Sequence, residues 1–91
     1  MSHSLLAHYE KNYSYIHGFQ QALTITYTAR NSPDGIVLSL TEHKDNTDTT
    51  EEFTAKISPE TAHNVILFLG ENGLKLYNWL DVLEDMGIHS A

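Results

Sequence analysis

At 91 residues the chain has room for one small domain spanning 1–91, and a chain of this size buries roughly 60–70% of its unfolded surface. Apolar residues at 41% and charged residues at 19% describe a globular protein, and the lack of cysteine excludes disulfides, thiolate nucleophiles and cysteine-ligated metal sites. Five basic against twelve acidic residues give a net charge of −7, a balance that repels nucleic-acid phosphates and argues against direct DNA or RNA binding.

Met1 is followed by Ser-His-Ser and then only Leu5-Leu6-Ala7, too short for the core of a signal peptide. The longest apolar run, VILFL at 65–69, is far below the about 20 residues that cross a bilayer. Both features predict a cytoplasmic protein without membrane contact. Residues 1–12 carry no single period: Leu5, Leu6 and Tyr9 suit a pair of helical turns. Further on, Tyr13, Tyr15, His17 and Phe19 alternate, which predicts a first strand broken at Gly18.

The strongest pattern is ALTITYTAR at 22–30. Leu23, Ile25, Tyr27 and Ala29 alternate with Thr24, Thr26 and Thr28, as a half-buried strand does. SPDG at 32–35 supplies turn chemistry, and IVLSL returns with Ile36, Leu38 and Leu40 on one side. A loop at 32–35 pairs Ala29 with Leu38 and Tyr27 with Leu40, apolar opposite apolar. After EHKDNTDTTEE at 42–52 comes EEFTAKI, and folding back sets Phe53 beside Leu40, Ala55 beside Leu38 and Ile57 beside Ile36. The sheet therefore extends over about 13–57, greasy on one face and rich in threonine on the other. The threonine row could template water or a flat partner, yet threonine is the ordinary polar residue of an exposed strand face.

Helical period begins at Ser58-Pro59-Glu60-Thr61, an N-cap serine with proline at the first helical position. Ala62, Val65, Ile66 and Leu69 form one stripe, and Gly70 is read as the stop, which places the first helix at about 59–69. A second helix over about 78–86 follows the break at Glu71-Asn72-Gly73, with Leu80, Leu83 and Met86 as its inner face. The expected fold is α+β, an antiparallel meander of three to four strands with two C-terminal helices on one face. The step Ile57-Ser58 into a helix, a short loop and the closing Asp81-Val82-Leu83-Glu84-Asp85-Met86 resemble a family of small uncharacterised proteins from Firmicutes bacteria. The resemblance covers the last half of the chain and implies a fold and a bacterial source; that family has no assigned activity to carry over.

Candidate sites are few. EHKDNTDTTEE holds five carboxylates and a histidine but lacks the glycine that a calcium loop needs at its turn, so it is read as a solvated hairpin loop. Six histidines occur, none in the H-x-x-x-H spacing of a helical zinc site. His8, His17 and Glu10 could form a two-histidine, one-carboxylate set, and the plainer expectation is surface residues with no metal. No serine sits in a nucleophile elbow, no glycine-rich phosphate loop occurs, and the pairs Glu51-Glu52 and Glu84-Asp85 point apart. The expectation is therefore no enzyme and no cofactor. Leu74, Leu76, Tyr77, Trp79, Leu80, Val82 and Leu83 fall within ten residues; much of this cluster is expected to close the core, and whatever stays outside, with Leu76, Tyr77, Trp79 and Val82 as the candidates, would be a contact surface for a protein partner or a homodimer. The leading functional expectation is a non-catalytic bacterial protein-interaction module. The alternatives are an acidic nucleic-acid mimic that inhibits a DNA-binding protein, and a small metal-dependent enzyme.

Overall fold

The computed structural model describes residues 5–18 and 21–91. Four strands, β1 (Leu5–Tyr13), β2 (Leu23–Ser32), β3 (Gly35–Lys44) and β4 (Thr47–Ala55), form one antiparallel sheet in the order β1-β2-β3-β4. Two helices follow, α1 (Pro59–Glu71) and α2 (Trp79–Asp85), and they cover one face of that sheet. The fold is α+β, a meander closed by C-terminal helices.

Apolar alternation fixes the central hairpin. Tyr27 pairs with Leu40 and Ala29 with Leu38, as the matching of apolar faces requires. At the turn, Ser32 Oγ accepts from Asp34 N at 3.3 Å and donates to Gly35 O at 3.0 Å. Gly35 has φ +141°, and a Cβ there would stand 2.7 Å from Ala55 O, so only glycine lets β4 approach.

EHKDNTDTTEE is not a loop. β3 runs through Lys44, β4 begins at Thr47, and the connection is the dipeptide Asp45-Asn46. Both residues have positive φ, 54° and 61°, as the central pair of a tight hairpin turn with the right-handed twist of its strands. Thr47, Thr49 and Thr50 are β-branched and extend the strand although no apolar residue joins them. The short turn also sets the register: Leu38 meets Phe53 and Ile36 meets Ala55, two residues away from the pairing expected across a longer loop. A two-residue shift preserves side-chain faces, so Phe53 and Ala55 still point toward the helices.

The first strand lies upstream of the alternation at Tyr13–His17. Leu5–Tyr13 pairs with β2 from Leu5↔Arg30 to Tyr13↔Leu23, with a bulge between Leu5 and Ala7. Ala7, Tyr9, Lys11 and Tyr13 take the inner face, and Phe19 lies outside the described residues.

Ser58 caps α1, its Oγ accepting from Thr61 N at 3.1 Å, and Ala62, Val65, Ile66 and Leu69 are buried. Burying Val65, Ile66 and Leu69 contributes about 1.5–3 kcal/mol each. Gly70 does not end the helix. It is buried within the last turn because the Tyr9 ring lies where its Cβ would be. The exit comes at Asn72 and at Gly73, whose φ is +62°. From β1, Lys11 Nζ donates to Gly70 O and Glu71 O at 3.4 Å, a cation against the carbonyl end of the helix.

In α2 the inner stripe is Trp79 and Leu83, both fully buried, whereas Leu80 and Met86 are 43% and 40% exposed. The expected stripe of Leu80, Leu83 and Met86 is thus rotated: Trp79 and Leu83 stand four residues apart on one face. Among the described residues, no helix is long and apolar enough to cross a membrane.

Candidate functional site: an acid-rimmed groove beside the last strand

Three polar bonds hold the segment from Leu74 to Trp79 over the sheet and so define what remains free around α2. Tyr27 Oη donates to Leu74 O at 2.7 Å in the buried core. Leu76 N donates to Glu42 Oε2 at 2.8 Å, and Trp79 Nε1 donates to Glu51 Oε1 at 2.8 Å. Glu42 pairs with Ile25 and Glu51 with Leu40, so both carboxylates sit on the helix-facing side at the end of the sheet. Their charges are spent on this segment. Burial, with smaller contributions from Tyr13, Glu42 and Tyr9, pushes the Tyr27 phenol far above its ordinary value and keeps it a neutral donor.

This arrangement sorts the four residues expected to form a contact surface. Trp79 is fully buried and belongs to the core, which removes it from that surface. Leu76 and Val82 are half-buried against the core, and only Tyr77, 81% exposed, stands free. The indole closes the interior because Glu51 satisfies its one polar atom.

Moving Trp79 inward turns Leu80 outward, and Leu80 forms one wall of a groove of about 630 Å³ between β4, α2 and residues 88–91. Phe53, Leu80 and Ile88 provide its apolar lining, and Glu52, Asp81 and Glu84 its acidic rim. Glu52 is shared with Arg30 at 3.1 Å, a surface pair on the open sheet face. Among the described residues, Asp81 and Glu84 make no ion pair. The tail lies along the strand: Ser90 bridges Ala55 and Ala91 N donates to Thr54 O at 2.9 Å. Over residues 47–53 no described strand pairs with the outer edge of β4.

Among the described residues, no helix or strand packs on the opposite sheet face. Its cross-strand rows are Asn12, Thr24, His43, Asp48 and then Glu10, Thr26, Thr41, Thr50. These side chains bond one another: Thr24 Oγ1 donates to Asn12 Oδ1 at 2.8 Å, Thr41 and Thr50 share a bond of 2.8 Å, and His43 pairs with Asp48. The face is mostly polar, with Val37 its buried apolar residue. His8 and Glu10 also lie on it, whereas His17 sits beyond β1 beside Tyr15 Oη at 3.2 Å. Among the described residues no three His, Asp or Glu side chains gather in a metal-holding arrangement, so His8, His17 and Glu10 do not form one set.

Of the groove residues, Phe53 and Leu80 read as core in the sequence, Glu52 and Glu84 only as members of carboxylate pairs, and none as part of a shared surface. Phe53, Leu80 and Ile88 were each legible as apolar, but the sequence offers no signal that three residues so far apart share a wall. Comparison with protein-family models, with curated proteins and with solved structures finds no match.

Proposed function

We propose that this domain is a non-catalytic protein-interaction module whose contact surface is the groove between β4, α2 and residues 88–91. The observation that carries the reading is the combination of an apolar lining at Phe53, Leu80 and Ile88 with carboxylates at Asp81 and Glu84 that make no ion pair among the described residues. Such a surface fits a partner segment that presents a large apolar side chain flanked by lysine or arginine. The apolar residue supplies affinity by leaving water, and the charges orient the approach. A net charge of −7 favours the same partner at longer range.

The test compares the parent protein with Leu80→Asp as immobilised bait against lysate of the source cell. Leu80 is 43% exposed, so the variant keeps the fold, and its circular dichroism and melting should match the parent's. The reading expects a discrete partner retained by the parent and lost with Leu80→Asp. The same proteins retained by both baits, or none by either, would count against the groove. A partner that binds DNA and is released by competing duplex would move the reading to the acidic-mimic alternative.

A further inference from the structure

The two edges of the sheet are not alike. The β4 edge is met at its end by the tail, through Ser90 and Ala91. Among the described residues nothing pairs with the outer edge of β1, which runs for nine residues from Leu5 to Tyr13. An edge of that length offers alternate backbone N–H and C=O groups to any extended chain, and proteins usually guard it, most often with lysine. The lysine in β1 is not such a guard. Lys11 Nζ is drawn inward to Gly70 O and Glu71 O at the end of α1.

We propose that the occupant of this edge is a second copy of the same strand, giving a two-fold symmetric dimer with a continuous eight-stranded sheet. Two-fold pairing of antiparallel strands places some residue opposite its own copy, and the side chains of β1 decide which. Centring on Glu10 opposes two glutamates, and centring on Lys11 opposes two lysines; both are unfavourable. Centring on His8 leaves Glu10 facing Leu6. Centring on Tyr9 sets His8 of each copy opposite Glu10 of the other, on the exposed sheet face where both side chains lie. An imidazole N–H then meets a carboxylate twice, once on each side of the axis. The same register sets Ala7 opposite Lys11, which separates the two lysines.

A bulge between Leu5 and Ala7 confines the regular run of the strand to residues 7–13, and the His8–Glu10 pairs lie within it. This interface lies on the edge opposite the β4 groove, so a dimer leaves both grooves free and does not depend on the proposed function.

Sedimentation equilibrium on the parent and three variants tests the proposal. The parent should dimerise at physiological ionic strength. Glu10→Lys, an exposed substitution, should weaken association by about tenfold or more, since symmetry counts the lost pair twice. His8→Glu should weaken it similarly, because two carboxylates then oppose two. The double variant His8→Glu/Glu10→Lys restores opposite charges at both pairs and should recover the parent's association. Circular dichroism checks that each variant is folded. A monomeric parent at high micromolar concentration would overturn the proposal, as would a dimer equally strong in all four proteins, or a double variant as weak as the single ones.

Discussion

At the scale of single residues, three polar groups on the helix-facing side of the sheet tie down the segment that precedes and opens α2. Tyr27, Glu42 and Glu51 each end on a backbone or indole partner in residues 74–79. Leaving one buried partner unsatisfied costs about 1–3 kcal/mol. Tyr27→Phe should therefore lower unfolding free energy by about that amount in urea denaturation, because Leu74 O loses its donor while the ring still fills the core. Its pH dependence has a definite sign. Since burial raises the phenol in the folded state, the unfolded chain releases this proton first, and stability falls as pH rises above the ordinary phenol value of about 10. Tyr27→Phe should remove that part of the alkaline slope. An unchanged slope together with unchanged stability would mean that the hydroxyl does not reach Leu74.

Among the elements, β2, β3 and α1 were legible and their neighbours less so, each for a particular reason. In β2 apolar residues alternate, and although Val37 interrupts the alternation in β3, only one register keeps Tyr27 with Leu40 and Ala29 with Leu38. For α1, the Ser58 cap, Pro59 and the stripe from Ala62 to Leu69 agree. β4 begins with Thr47–Glu52, where no apolar residue marks a face, and polarity there resembles a loop. Asp45-Asn46 held the missing signal, because asparagine and aspartate tolerate left-handed backbone better than most residues. In β1, Lys11 interrupts the apolar face, since it serves the end of α1 rather than the core. Gly70 was misread because glycine both ends helices and permits close approach, and only the Tyr9 ring shows which applies. The hairpin turn yields a two-sided prediction. Asn46→Gly should be neutral or stabilising by up to about 1 kcal/mol, whereas Asn46→Val should cost about 1–2 kcal/mol at φ 61°. Equal effects in thermal melts would argue for an irregular connection without left-handed residues.

For the whole molecule, the central point is which side of α2 faces inward, because it determines both the core and the groove. An apolar count puts Leu80 on the inner stripe and leaves Trp79 open between core and surface; the Glu51 carboxylate, accepting the indole N–H at 2.8 Å, lets Trp79 take the core. With Trp79 inside, Leu80 is released to line the groove on which the functional proposal stands. The outcome depends on a contact between residues 28 positions apart, which no local pattern contains. Trp79 is the only tryptophan, so the unmodified protein reports on the arrangement directly. Its fluorescence should be blue-shifted and nearly insensitive to iodide or acrylamide in the folded protein, becoming red-shifted and freely quenched only on unfolding. Red-shifted emission with ready quenching in the native state would contradict the account, since it would place the indole in solvent and return Leu80 to the core.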